Sequence, residues 1–332
     1  MADTFDPTRD PGVFTRHRDN PVLAPDDVPY PCSLAFNAGV ARFGGRYVMI
    51  FRNDRFRREP ELKALGTSLG LATSDDGVRW RVDPDWRYEL GSDEIRRAYD
   101  PRLTVLDGRL YLCMAVDTHH GIRGGVAALD EAMNIEILSL SAPDNRNMVL
   151  FPRKIGGRYV RLERPFPVYG KPGRDRFDIW CSQSPDLVHW GDSRLVLGCE
   201  RIGWCNDKIG PTAPPIETPA GWLTPIHVVD RDDDRPLAGW EARWTKRYTV
   251  GLALLDRDEP WRVVGLCPRP VLVPDERYPY EVDGFRGSVL FPTGLLAEDD
   301  GTVKLYYGAS DTVMALATAR LDDLLALCEP VA

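Results

Sequence analysis

The strongest constraint on the fold of this 332-residue chain is a rhythm that recurs five times. The runs GRYVMIFR, GRLYLCMAV, GRYVRLE, GWLTPIHVV and GTVKLYYGA each set a glycine ahead of β-forming residues, beginning at Gly45, Gly108, Gly157, Gly221 and Gly301. Each glycine suits the end of a hairpin turn, where a positive φ is needed. A second segment follows each run: LGLATSDDGVRW, GGVAALDEAMNIE, DIWCSQSPDLVHW, VGLALLDRDEPW and MALATARLDDLL. Three of these close on Trp80, Trp190 or Trp261, just past an Asp-containing turn. Two motifs repeated in one order imply a hairpin-rich unit arrayed radially. The expected fold is all-β, a five-bladed β-propeller. With no convincing linker, residues 1–332 are expected to form one domain, with a short N-terminal extension and a C-terminal helical or strand closure. In that closure Leu321, Leu324, Leu325 and Cys328 could share a helix face. A β-sandwich with coincidental glycines is the alternative.

Composition narrows the partners. A formal net charge of −8 argues against a nucleic-acid footprint and for small-molecule work. No stretch reaches the ~20 apolar residues of a membrane span. The polar N-terminus, MADTFDPTRDPGVF, reads as neither secretory signal nor transit peptide. Seven scattered cysteines, never in a CxxC pair, fit reduced thiols rather than a disulfide framework or a zinc site, so a cytoplasmic location is expected.

A propeller gathers the starts of its inner strands around one axis, so functional residues should precede or open the β-runs. The first blade offers Asn37, then Arg52, Asn53 and Asp54; the second offers Asp100 and Arg102 in YDPRLTV. The third offers Arg146, Asn147, Lys154 and Arg164, the fourth Asp207, Lys208 and His227, and the fifth Tyr280, Glu281, Asp283 and Asp311. Acids at blade mouths suit sugar hydroxyls and protonation of a glycosidic oxygen. The cations Arg146, Arg164, Lys208 and His227 fall at equivalent places in neighbouring blades, and such a group would bind an oxyanion such as phosphate.

These segments resemble glycoside hydrolase family 130, the β-mannoside phosphorylases. The carriers are FNAGVARF, Asp-Pro-Arg at 100–102, RNMVLFPRKIGGRYVRLERP at 146–165, DKIGPTAPPIETPAGWL at 207–223 and YYGASDTVMALATA at 306–319. The resemblance implies a five-bladed propeller that performs inverting phosphorolysis of a terminal β-mannoside. Its products would be α-mannose 1-phosphate and a shortened sugar. Asp100 corresponds to the family's single acid, which acts through a hydroxyl of the bound mannose. Arg146, Asn147, Arg164, Lys208 and His227 correspond to its phosphate-binding positions. Asn37, Asp54, Arg102, Tyr280, Glu281 and Asp311 are the expected sugar contacts, with a turn or blade-closing role standing equally beside sugar contact for Asp54. No cofactor and no metal is expected, inorganic phosphate being a co-substrate. The partners would be phosphate and a small oligosaccharide or disaccharide, with neither nucleic acid nor membrane, and the resemblance is compatible with a homo-oligomer. Chain length suits the β-1,4-acting members. A β-mannosidase of the same fold, or a non-catalytic carbohydrate-binding propeller, are the alternatives.

Several features stand apart. The family commonly has glutamate before the Asp-Pro-Arg aspartate, where this chain has Tyr99. The run RNDRFRREPELKALG carries Arg52, Arg55, Arg57 and Arg58 and reads as an exposed loop or as an acceptor site for a negatively charged sugar such as a uronic acid. His119 and His120 lack a completing ligand pattern and read as loop residues. Trp204 and Trp240 read equally as a sugar platform or as packing in the fourth blade, and DRDDDRP at 230–236 as a solvated loop.

Overall fold

The computed structural model describes residues 6, 8–58, 60–167, 176–236, 239–241 and 244–331. After a short strand β1 (Thr15–Arg16), the first blade is β2 (Leu34–Phe43), β3 (Arg46–Arg57), β4 (Lys63–Ser74) and β5 (Arg81–Tyr88). The second is β6 (Ile95–Leu106), β7 (Arg109–Thr118), β8 (Gly121–Leu129) and β9 (Ile135–Leu140). The third is β10 (Asn145–Leu150), β11 (Tyr159–Pro165), β12 (Ile179–Ser184) and β13 (Gly191–Leu197). The fourth is β14 (Lys208–Pro211), β15 (Ile216–Thr218), β16 (Gly221–Arg231), β17 (Lys246–Leu255) and β18 (Val263–Leu266). The fifth is β19 (Leu290–Ala297), β20 (Thr302–Ala309) and β21 (Val313–Arg320), and β22 (Glu329–Pro330) ends the chain. Every pairing between named strands is antiparallel. The fold is a five-bladed β-propeller.

The ring closes through both ends of the chain. Strand β1 is the outer strand of the fifth blade, paired to β21, and β22 adds to β18 at the edge of the fourth. Helix α1 (Pro279–Val282) precedes β19, and helix α2 (Leu321–Ala326) carries the C-terminal face foreseen from the sequence. Leu324 of α2 is fully buried, and Leu321, Leu325 and Cys328 pack on the same core. Among the described residues no helix is long and apolar enough to cross a membrane.

Hydrophobic burial, the main stabilising term, is arranged around the ring. Five principal clusters each join two adjacent blades: Ile50 with Leu112, Cys113 with Met148, Leu162 with Ile226, Leu252 with Leu305, and Met314 with Met49. Trp80, Trp190 and Trp261 belong to three of these clusters, each beside a turn in which an aspartate (Asp76, Asp186 or Asp256) accepts two backbone N–H bonds. The five repeat glycines, Gly45, Gly108, Gly157, Gly221 and Gly301, all have positive φ, between 74° and 132°.

The irregularities position the site. In three successive blades the innermost strand slips register at a residue with positive φ: Asn37 (48°), Asp100 (52°) and Asn147 (57°). These are β-bulges, which re-aim a side chain, and Asn and Asp tolerate the left-handed region better than other side-chain-bearing residues. An aspartate before proline is expected to be extended. Asp100 is not, because it lies in the bulge between Tyr99 and Arg102. Pro101 beside it has no N–H to leave unpaired. Close to this point the inner strands nearly touch: a Cβ on Gly39 would lie 2.6 Å from the Leu103 nitrogen.

Candidate active site

The three bulges converge on a cavity of about 240 Å³ at the propeller axis. Asn37, Asp54, Asp100, Arg146, Asn147, Arg164, His227 and Asp311 all line it. Eight positions expected from the sequence, contributed by all five blades, therefore meet in one place. Lys208 sits beside them, with its Nζ 5.5 Å from the ring centre of Tyr248, which lines the cavity.

Three expected sugar contacts lie elsewhere. Arg102 is 1% exposed and its guanidinium serves the backbone, donating from Nη1 to the Asp100 carbonyl at 2.5 Å and from Nε to the Thr212 carbonyl at 3.0 Å. It holds the bulge. Glu281 is fully buried, accepting from Arg16 Nε at 2.7 Å and from the Tyr307 hydroxyl at 2.7 Å. Tyr280 accepts from Asn20 Nδ2 at 3.1 Å. Both bind the N-terminal segment to the fifth blade, because α1 turns them away from the axis. Asp283, in the same segment, does not line the cavity either.

The acid is tightly held. Asp100 Oδ1 accepts from Asn37 Nδ2 and from Arg52 Nη1, each at 3.1 Å. Arg52 also grips Asp54, with Nη2 to Oδ2 at 2.6 Å, and its guanidinium lies 4.8 Å from the Tyr99 ring centre. Burial pushes the Asp100 carboxyl up, but Arg52, Arg102, Asn37 and Arg146 outweigh it and leave it below the usual carboxylate range. Asp311 goes the other way. Burial raises it and the Asp100 charge adds to the rise, against Arg286, whose Nη1 is 3.3 Å from Asp311 Oδ2, and Arg52. One cavity thus holds two carboxyl groups pushed apart, the pattern that separates proton-transfer roles.

The cations form a second pole. Burial, and then Arg146, push the Arg164 guanidinium down to about 9. Burial, Arg164 and Lys246 push the Lys208 ammonium down to about 6. His227 is held well below its ordinary value by burial and then by Arg164 and Lys208, so its ring is neutral. Arg164 Nη1 lies 3.2 Å from His227 Nε2; an arginine can only donate, which places the imidazole proton on Nδ1. Arg164 Nε and Nη2, Arg146 Nε and His227 Nδ1 are buried without a hydrogen-bond partner among the described residues. Buried donors of this kind, set among mutually repelling cations, fit a polyvalent oxyanion such as phosphate.

Some cavity residues were not singled out from the sequence. Tyr248 stacks on His227 with ring centres 5.7 Å apart, and burial pushes its phenol up to about 12. Arg286 follows Tyr280, Glu281 and Asp283 in YEVDGFRGSV, and its distance from the strand start was the usable signal: Arg286 is the charged residue nearest β19. Tyr99, singled out in the sequence as standing where the family commonly has glutamate, also lines the wall, donating from its hydroxyl to Asp117 Oδ1 at 2.9 Å.

The remaining candidates fall outside the cavity. His119 lies in the β7–β8 turn and accepts from Arg96. The nearest thing to a cation cluster among the described residues is Asp178, Cys199 and Glu200, where Glu200 already pairs with Arg176 at 2.6 Å. Trp204 is 8% exposed in the core, with Nε1 on the Thr249 hydroxyl. In the 230–236 run Asp230 pairs with Arg235 and Arg247, while Asp232, Asp233 and Asp234 are exposed.

The cavity thus brings together a tightly held carboxylate and a set of buried, unpartnered donors, the two parts that acid-assisted transfer to an anion would need. Comparison with known proteins agrees. The sequence model of glycoside hydrolase family 130, described as beta-1,4-mannooligosaccharide phosphorylase, matches residues 15–330. A beta-1,4-mannooligosaccharide phosphorylase of Ruminococcus albus is 33% identical over 94% of this chain and 90% of its own. A beta-1,2-mannobiose phosphorylase of Listeria innocua is 26% identical, covering 93% and 97%. The solved structure of the Listeria innocua enzyme with beta-1,2-mannobiose superposes with a TM-score of 0.81 at 25% identity, over 95% of this chain and 98% of that one. The chain belongs to glycoside hydrolase family 130 and is a mannoside phosphorylase of the glycosyltransferase type.

Proposed function

We propose that the chain catalyses inverting phosphorolysis of a terminal β-1,4-linked mannosyl unit. It would release α-mannose 1-phosphate and a shortened sugar, with no cofactor beyond phosphate as co-substrate. The carrying observation is the set of hydrogen-bond donors Arg146, Arg164, Lys208 and His227, gathered in and beside the cavity that holds Asp100. Phosphate is already nucleophilic, so the site has no need of a carboxylate base to activate water. Arg146, Asn147, Arg164, Lys208 and His227 hold it in line with the anomeric carbon and offset its charge. Asn37, Asp54 and Asp311 take mannose hydroxyls, the β-1,4 linkage being the one acted on by the 33%-identical relative.

The proton balance follows from the electrostatics. The C1–O bond to the acceptor breaks as a C1–O bond to phosphate forms, and the acceptor oxygen gains a proton. Asp100 supplies it, through a mannose hydroxyl. In the free site Asp100 is held as an anion by neighbouring cations. Phosphate bound at Arg146 offsets part of that positive field, which lets Asp100 take up the proton that hydrogen phosphate brings. Substrate binding thereby arms the acid. The test is mannoside turnover with and without phosphate: mannose 1-phosphate formation supports this reading, and undiminished release of free mannose without phosphate defeats it.

A further inference from the structure

The catalytic cavity does not end at its own wall. Phe56, which lines it, also lines a second hollow of about 470 Å³, shared with Cys32, Ser33, Arg58, Trp240 and Thr312. Phe56 packs on Phe285 with ring centres 5.0 Å apart, so the boundary between the two spaces is aromatic. Asp100 and the cationic group claim the inner cavity, which leaves the acceptor sugar the space on the Phe56 side.

One feature of this hollow has a chemical direction. The Arg58 guanidinium lies over the Trp240 ring, 3.2 Å from its centre, and pairs with no carboxylate among the described residues. A guanidinium fixed face-on to an indole keeps its N–H groups pointing outward in its own plane, in the fork that matches a carboxylate. Of the other arginines of this stretch, Arg52 is engaged with Asp54 and Asp100 and Arg55 with Glu89, while Arg57 does not line the hollow. Asp26 also lines the hollow, but it is exposed and unpaired among the described residues, free to turn to water, whereas Arg58 is held in place. Preorganisation favours the donor.

We infer that the hollow beyond Phe56 is an acceptor site for a sugar carrying a carboxylate, a uronic acid, with Arg58 on Trp240 as the residue that selects it. This rests on the phosphorylase reading above and specifies its acceptor.

The test is synthesis from mannose 1-phosphate with glucuronate and with glucose, its neutral counterpart, as acceptors. Glucuronate is expected to be used with a kcat/KM at least about tenfold above glucose, the scale of one charge-assisted hydrogen bond. Arg58→Gln, on the surface and outside the core, is expected to bring the ratio of the two to about one. Equal use of both acceptors by the unaltered enzyme overturns the inference, as does a preference for glucuronate that survives Arg58→Gln. Phosphate release with glucose but not with glucuronate sinks the acceptor assignment alone, whereas no synthesis with any acceptor strikes the phosphorylase reading instead.

Discussion

Arg52 donates from Nη1 to Asp100 at 3.1 Å while its other nitrogens hold Asp54, so a single guanidinium ties the acid of the second blade to the first. Arg52 is the leading cause holding Asp100 below the carboxylate range against the upward push of burial. Removing it raises the Asp100 pKa. Since the proposed acid must be protonated to act, the alkaline limb of the kcat/KM profile is expected to move to higher pH in Arg52→Met. The substitution also leaves Asp54, 2% exposed, without its charge partner, at a cost of about 3–5 kcal/mol. Activity-versus-pH and thermal-unfolding measurements on this variant check both.

Substituting the acid itself gives the simplest contrast. Asp100→Asn keeps the shape and still accepts from Asn37 and Arg52, but it has no proton to give. Turnover is expected to fall by about 10²–10⁴-fold, the usual share of general acid catalysis, with mannoside binding retained. Steady-state kinetics beside direct binding of the mannoside separates the two.

The cationic pole separates the two substrates. Arg164→Ala or Lys208→Ala is expected to raise the KM for phosphate by about 10–100-fold, the scale of a charge-assisted hydrogen bond. The KM for mannoside should move far less. Equal losses for both substrates would place these residues in some other role.

Lys208 makes phosphate binding proton-linked. Its ammonium is pushed down to about 6, first by burial, so it is mostly neutral at pH 7.5 in the free site. A bound dianion favours the charged form, so binding takes up a proton, and apparent affinity falls as pH rises above about 6. Calorimetric titration with phosphate at pH 7.5, in two buffers of different ionisation enthalpy, is expected to show that uptake. Lys208→Met should lessen it.

Arg16 closes the ring from a distance. It pairs with fully buried Glu281 at 2.7 Å and donates to the Val273 carbonyl at 2.6 Å, clasping β1 to the fifth blade. Arg16→Met removes the charge partner of buried Glu281, leaving it only the bonds from the Tyr307 hydroxyl and the Asp275 N–H, and is expected to cost about 3–5 kcal/mol, read as a lower unfolding midpoint.

Much of this was legible in the chain because the repeat is local. A glycine before a β-run marks the same hairpin in every blade, and the polar residue that opens each run marks the axis; Asn37, Asp100 and Asn147 were found that way. Their backbone was not legible, since a bulge is a relation between two strands and Pro101 argued for an extended aspartate. Tyr280 and Glu281 misled because they lie within the short helix α1 ahead of β19, so position ahead of a strand did not mean position at the axis. Arg102 misled for another reason: it opens its β-run as a site residue should, but beside the bulge at Asp100 its guanidinium turns onto backbone carbonyls. The neutral state of His227 arises from neighbours in other blades, which only the closed ring brings together.

The central claim is that an anion, not water, takes the mannosyl group. Phosphorus and proton magnetic resonance of a β-mannoside digest in phosphate buffer tests it directly. The expected result is α-mannose 1-phosphate as the first product, with turnover abolished when phosphate is withheld. Free mannose as the first product, formed at the same rate without phosphate, would contradict it.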